Sequence, residues 1–423
     1  MNRQQPSRQT STIGMALSIL LGFGAEAGSP PAASTRSGVT GWAAEKQLTS
    51  APGASKLSYN FARSIAADGQ GRVHVVWYSA RDGNEQVYYK RSVDEGATWG
   101  PDSRLSDSTT RMPTDPIQPA IAVSGLNVYV VWHEVRRGKL DVYLRRSLDG
   151  GLTWQPVDRV SNGNGSSAHA SIAAWEANVF VVYGDHRDGN QAEVYFRRSS
   201  NAGKSWEGEV RISDTPYESW VPTVAVSGND VLVAWVDYRD ANEEEYLRRS
   251  IDGGVTWGAS VRLTNDQADS WAPSMAVAGK QVHFTWFDRR DAGVTDAEVE
   301  AVLEKGLGLV GLPPEPAPPR DAATYYLNPF MARVQRKIRR IHAAAPTWVR
   351  RGGNPAELEG ILKQFESLTR LWSTGWEIYY ERSSDGGATW APDVRLTHAP
   401  GASARPSVAV SKSDVYVVWF DER

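Results

Sequence analysis

Short runs of alternating apolar and polar residues recur along most of this chain, always in the same order. A small, apolar run comes first: Ser64-Ile-Ala-Ala, Ala120-Ile-Ala-Val, Ser171-Ile-Ala-Ala, Thr223-Val-Ala-Val, Ser274-Met-Ala-Val and Ser407-Val-Ala-Val. Small and β-branched residues suit a crowded inner strand. An alternating strand follows, such as Val128-Tyr-Val-Val-Trp132 or Val415-Tyr-Val-Val-Trp419. After a polar loop comes a third strand, as in Val87-Tyr-Tyr-Lys-Arg91 and Val142-Tyr-Leu-Arg-Arg146, then a turn and a fourth strand. Each unit therefore predicts four antiparallel strands.

The turn before the fourth strand is the most regular feature. It reads Ser92-Val-Asp94-Glu-Gly96-Ala-Thr98-Trp99, and returns around Asp149, Asp252 and Asp385, with a weaker copy around Asn201. Asp or Asn accepts from nearby backbone N–H groups, Gly allows a conformation other residues resist, and Trp gives a large apolar anchor. These side chains are expected to be structural. The copies are separated by 55, 52 and 51 residues, then by 133. A period near fifty with several strands per unit predicts a propeller, and the long step adds an insertion to one period.

Six inner strands predict an all-β, six-bladed propeller over 42–423, its last blade incomplete at Asp421-Glu-Arg423. Trp42 to Leu48 reads as a fourth strand that closes the ring. The insertion, 293–375, falls within blade five, where the pattern changes to a helical period. Thr295-x-x-Glu298 is a capping box ahead of Val299, Val302 and Leu303. Asn328-Pro329 opens a second helix with Val334, Ile338 and Ile341 on one face and Arg333, Arg336, Lys337, Arg339 and Arg340 on the other. Asn354-Pro355-x-Glu357 opens a third.

Composition narrows the function classes. The formal net charge is −3, which argues against nucleic acid or an anionic membrane as the main partner. With no Cys, disulfides, thiolate metal sites and cysteine catalysis are excluded. Residues 1–27 read as an export signal: a polar start, an apolar run from Ile13 to Gly24, and Ala25-Glu-Ala27 as a cleavage site. The apolar run is short for a membrane span. Residues 28–41 read as a linker, and a secreted or periplasmic location is expected.

The octapeptide on a six-bladed pattern resembles the Asp-box (BNR) repeats of the sialidase superfamily, over about 42–292 and 376–423. The resemblance implies a retaining exo-glycosidase for sialylated or related acidic glycans, working without cofactor or metal. It also implies three Arg side chains that clamp the substrate carboxylate, a Tyr nucleophile assisted by a Glu, and an Asp acid/base. The superfamily's Arg-Ile-Pro signature is absent. Arg63 in Phe61-Ala-Arg63-Ser-Ile65 is nearest to it, and Ser79 stands where an Asp is expected, close to Asp82.

What does recur is Asp-x-Arg after the second strand: Asp185/Arg187, Asp237/Arg239, Asp288/Arg290 and Asp421/Arg423, with Glu134/Arg136 as a variant. From this, Asp237 and Asp288 are the candidate catalytic acids, and Arg63, Arg187, Arg239 and Arg290 the candidate clamps. Ion pairing between blades is the competing reading of the same residues. Trp220 and Trp271 precede the inner strands of blades four and five, where aromatic faces would stack on sugar rings; the insertion would lid them. A non-catalytic glycan- or protein-binding propeller is the alternative to the enzyme.

Overall fold

The structure is a computed structural model. It describes residues 47–50, 54–58, 63–106, 118–136, 138–189, 191–240, 242–266, 268–313, 329–398, 401–411 and 414–421. The expected export signal and linker and the expected closing strand from Trp42 to Lys46 lie outside the described residues, as do Phe61, Asn328 and Arg423. The chain divides into two compact units, one of sheets and one of helices.

The sheet unit is all-β and antiparallel, and each sheet is formed by consecutive strands. The second sheet is Ala120–Ser124, Asn127–Arg136, Lys139–Ser147 and Asp158–Arg159; the third is Ser167–Trp175, Asn178–Asp185, Glu193–Ser199 and Val210–Arg211. The fourth is Ser219–Ser227, Asp230–Asp237, Glu244–Ser250 and Val261–Arg262; the fifth is Ser270–Ala278, Gln281–Asp288, Glu377–Ser383 and Val394–Arg395. In the first sheet Ser55–Lys56 and Ile65–Ala67 both pair with Val73–Ser79, followed by Gln86–Ser92 and Ser103–Arg104. The sixth shows two strands, Ser403–Ser411 and Asp414–Asp421.

Successive sheets pack face to face, as propeller blades do. In the second to fourth sheets the middle strands are apolar on both faces because each face meets a neighbouring sheet, whereas Asp414–Asp421 of the sixth leaves Tyr416, Val418 and Phe420 exposed. Val194 and Phe196 of the third sheet pack with Val233, Trp235 and Tyr246 of the fourth. Leu232, Ala234 and Leu247 of the fourth meet Met275, Phe284, Trp286 and Tyr379 of the fifth. Trp77, Trp132, Trp235 and Trp286 are almost fully buried, each removing about 4–6 kcal/mol of apolar surface from water.

The octapeptide turn has a common geometry. In the second sheet Asp149 accepts from the backbone N–H and hydroxyl of Thr153 at 2.9 and 2.5 Å, and Ser147 Oγ accepts from Gly151 N at 2.8 Å. Asp94, Asp252 and Asp385 repeat these bonds; Asn201 Oδ1 likewise accepts from Ser205 N, but its Nδ2 donates to the Ser205 hydroxyl. The turn also fastens one sheet to the one before. Trp154 sits edge-on to Tyr89 at 4.8 Å and Trp257 to Phe196 at 4.9 Å. Gly254 has φ +85°, and a Cβ there would lie 2.5 Å from the Phe196 ring. Glycine is therefore required both by conformation and by the neighbouring sheet.

Third-strand cations make a second fastening. Arg145 and Arg248 donate to the carbonyls of Leu105 and Ile212 in the preceding sheet at 2.9 and 2.6 Å. Arg197 does the same to Val160. Lys90 of the first sheet donates to Leu48 O at 2.6 Å, so Leu48 occupies the position that a preceding fourth strand fills elsewhere.

In the helical unit, α1 (Asp296–Leu309) begins at Thr295, whose hydroxyl accepts from Glu298 N in a full capping box. α2 (Pro329–Arg350) buries Val334, Ile338 and Ile341. Part of its basic face is consumed by α1: Arg333 pairs with Glu300 at 2.8 Å and Lys337 with Glu304 at 2.7 Å. α3 (Pro355–Thr374) is capped by Asn354 Oδ1, which accepts from Ala356 N at 3.1 Å. Among the described residues, no helix is long and apolar enough to cross a membrane.

Candidate functional site

The Asp-x-Arg loops lie at the end of the sheets opposite the octapeptide turns, and their geometry corrects the reading of them. Asp237 is fully buried. It accepts from Arg239 Nη2 at 2.7 Å and Nε at 2.9 Å, from Trp235 Nε1 at 2.9 Å and from Ser219 Oγ at 3.0 Å. Asp288 repeats the arrangement with Arg290 and Ser270 at 2.6 and 3.2 Å; Asp185 does so with Arg187 and Ser167 at 2.8 and 2.6 Å. Each pair is internal to one loop, two residues apart, and does not bridge blades. Burial raises the Asp288 carboxyl, only partly offset by Arg290.

Each guanidinium is also laid over a tyrosine of its own third strand. Arg187 covers Tyr195 at 4.0 Å, Arg239 covers Tyr246 at 4.1 Å and Arg290 covers Tyr379 at 4.3 Å. Tyr246 in turn donates to Asp240 at 2.5 Å and Tyr379 to Asp291 at 2.7 Å. Burial disfavours the charge on Arg187, Arg239 and Arg290, yet the paired carboxylates raise all three above the usual arginine value. Their donors are spent on these columns, so they do not converge on one point. Arg63 lies elsewhere: its Nη2 donates to the Met275 carbonyl of the fifth sheet at 3.0 Å, and burial of the guanidinium depresses its pKa although its stem is exposed. Asp237 and Asp288 are thus held away from solvent, and the four Arg make no common clamp.

Residues that differ from sheet to sheet lie beside these columns. The central residue of the Asp-x-Arg tripeptide is Val135 in the Glu134 variant, then His186, Tyr238 and Arg289. Arg289 is buried, donates to Asp269 Oδ2 at 3.1 Å, and lies 4.7 and 5.4 Å from the ring centres of Trp372 and Trp376. Asp269 Oδ1 accepts from Glu243 N at 3.1 Å, and the Glu243 carboxylate accepts from Trp271 Nε1. Glu243 stands in a slot marked by its carbonyl, which accepts from the first N–H of the next sheet's inner strand, Ser270, at 2.7 Å. Ala192 and Trp376 fill the same slot one sheet earlier and later. A carboxylate occurs there in one of the three.

Trp220 and Trp271 belong to this cluster. Their rings meet edge-on at 5.0 Å, and His169 meets Trp220 edge-on at 6.0 Å, with His133 a further 6.0 Å away. Trp220 is buried, which fits packing, while Trp271 is half-buried. Burial, followed by repulsion from His133 and His186, lowers the His169 pKa to about 3, so its ring is neutral at pH 7. The backbone here is strained: His169, Val221 and Ala272 have φ of +54°, +47° and +65° at equivalent bulges of the inner strands. Arg405 has φ +58° at the same bulge of the sixth sheet, so this strain, about 1–3 kcal/mol for a β-branched residue such as Val221, belongs to the repeat.

Sequence reasoning missed Glu243, Asp269 and Arg289 because it followed what repeats. The available signal was the opposite one, asymmetry at matched positions. Among the described residues no group of three or more His, Asp or Glu is arranged to hold a metal ion.

No protein-family profile matches the sequence. A xyloglucanase, Xgh74A of Acetivibrio thermocellus, is 26% identical over 161 residues, which cover 36% of this chain and 16% of that protein. The chain therefore spans about a sixth of the curated relative it matches. Among solved structures, Trypanosoma rangeli sialidase in complex with the inhibitor DANA has a TM-score of 0.44 at 11% identity, covering 88% of this chain and 53% of that one. A Fusarium graminearum α-L-arabinofuranosidase has a TM-score of 0.41 at 16% identity, covering 57% and 82%.

Proposed function

We propose that this protein is an exported, six-bladed propeller that hydrolyses a glycosidic bond in a glycan seated over its third to fifth sheets. Closure of the ring is supported by Leu48, which Lys90 holds where the end of a preceding fourth strand stands in the other sheets. The single observation that carries the function is the buried Glu243–Asp269–Arg289 cluster beside Trp271, which breaks the repeat. Glu243 and Asp269 are buried, as Asp237 and Asp288 are, and what sets the pair apart is that it does not recur from sheet to sheet; glycoside hydrolysis uses two carboxyls in unequal roles, one as acid and one as base or nucleophile. Glu243 and Asp269 take those roles in this reading. A clamp built from Arg187, Arg239 and Arg290 is not part of it, so a sialoside is one test substrate among several.

A panel of fluorogenic exo-glycosides, sialylated and neutral, tests the reading. Turnover of at least one, lost in Glu243→Gln while folding is retained, is the expected result. No turnover across the panel by a folded protein that binds a glycan would favour the non-catalytic reading. That reading has support in the fact that both carboxyls already accept from protein donors.

A further inference from the structure

Two carboxyls on the seam between the fourth and fifth sheets stand where every other sheet places something different. The first is Glu245, in the third strand of the fourth sheet, with its side chain toward the fifth. Val87, Val142, Val194 and Ile378 hold the matching position next to the start of the third strand in the other sheets. Glu245 is fully buried, and neither of its side-chain oxygens has a hydrogen-bond partner.

The second is Glu381, in the third strand of the fifth sheet, beside Phe284 on the face toward the fourth. Its counterparts are Lys90, Arg145, Arg197 and Arg248, the cations that fasten each sheet to a carbonyl of the one before. Here an acid replaces the cation. Glu381 is buried and its Oε2 has no partner.

A carboxylate without a cation in such a place is costly, whereas a neutral carboxylic acid is tolerated and can donate. We propose that the seam between the fourth and fifth sheets is a proton-dependent closure. It holds Glu245 and Glu381 as neutral acids and loosens when they ionise.

The charged surroundings agree. Beside Glu245 the charge is Glu244, which Arg262 pairs at 2.8 Å and which faces the other way; Val236 and Leu263 flank Glu245, and Trp286 lines the opposing sheet. Beside Glu381 the charge is Asp393, itself paired with Arg290 at 2.7 Å. No cation contributes to either group. Burial, and then the neighbouring carboxylate, raises both: Glu245 well above the usual carboxyl value and Glu381 to about 7.

The sign follows. A carboxyl raised in the folded state gives stability that is complete below its unfolded value, near 4.5, and that is lost as pH rises through about 7 for Glu381. The Glu243–Asp269 and Glu243–Ser270 bonds cross this same seam. The inference needs no catalytic role for them, because its readout is stability.

The experiment is a thermal melt of the whole chain from about pH 5 to about pH 9, for the wild type, Glu381→Arg and Glu245→Val. The expected result is a wild-type melting temperature that falls by several degrees as pH rises from about 5 through about 7, with the fall reduced in each variant. Glu381→Arg restores the residue type of the other seams, and Glu245→Val the apolar type of the other sheets. Equal pH profiles for all three proteins would overturn the proposal. Should a variant fail to fold, infrared spectroscopy of the wild type decides alone. A protonated-carboxyl stretch present at about pH 6 and lost with the alkaline loosening supports the proposal, and its absence at both ends overturns it.

Discussion

The two ends of the sheets obey different rules. At the octapeptide end, five turns share the same backbone-to-side-chain bond, and in the second and fourth sheets the indole meets an aromatic of the preceding sheet. At the other end the Asp-x-Arg-Tyr columns also repeat, but the residues between them change with each sheet: Ala192, Glu243 and Trp376 in one slot, His186, Tyr238 and Arg289 in another. A catalytic or binding site needs unequal groups in unequal roles, whereas a stacking element needs the same group each time. Repetition here marks architecture, and departure from it marks chemistry.

That contrast breaks most visibly if a repeated acid is removed. Asp237→Ala leaves Arg239 and Trp235 Nε1 without their acceptor in a buried loop, and should cost about 3 kcal/mol in denaturant unfolding. Ligand affinity of the fraction that stays folded should be unchanged; a selective loss of binding at full stability would return Asp237 to the site.

The unequal end should behave in reverse. Asp269→Asn keeps the shape of the side chain and should lower kcat by about a hundredfold in the folded fraction, a loss larger than the destabilisation that follows from leaving the buried Arg289 without its counter-charge. Equal activity in the variant would leave the cluster a packing feature.

At the repeated end, Gly254→Ala places a Cβ against Phe196 at a positive φ and should destabilise by about 2 kcal/mol. Gly253→Ala, one residue earlier at φ +72°, meets only the flexible Arg198 guanidinium, at 3.6 Å, and should cost less. A reversed order in calorimetry would undo the stapling account.

The smallest effect is the acid limb. Bonds from Ser92 and Thr98 lower Asp94 to about 2, and those from Ser147 and Thr153 outweigh burial to lower Asp149 to about 2 as well. Depressed carboxyls give stability present above their unfolded value, near 3.8, and lost as pH falls through about 2. Melts below about pH 4 should decline gradually, and Asp149→Asn should flatten part of that slope. This limb runs opposite to the alkaline loss expected of Glu381.

Much of the architecture was legible in the residue pattern. The strand order, the turn chemistry of Asp94, Asp149, Asn201, Asp252 and Asp385, and the capping of α1 by Thr295 are local, set by neighbours a few positions away. The candidate site was legible only in part. Trp220 and Trp271 were noticed because they break a repeat, and they do lie together. Asp237, Asp288 and their arginines were noticed because they keep one, and they turned out to be columns. Glu243 sits next to two other glutamates, and nothing in Glu243-Glu244-Glu245 tells which of them pairs with Arg262, which faces the indole of Trp271 and which is buried without a partner.

The sequence alone determined which segments are strands, where they turn, and that glycine and tryptophan must punctuate them, because these depend on short-range sterics and on side-chain periodicity. The tertiary structure decided which charges are spent and which remain. Ionisation and reactivity depend on what a neighbouring sheet brings within a few ångströms, and that neighbour lies fifty or more residues away: Arg63 meets Met275, Trp154 meets Tyr89, and Glu381 faces the fourth sheet without the cation its position has elsewhere.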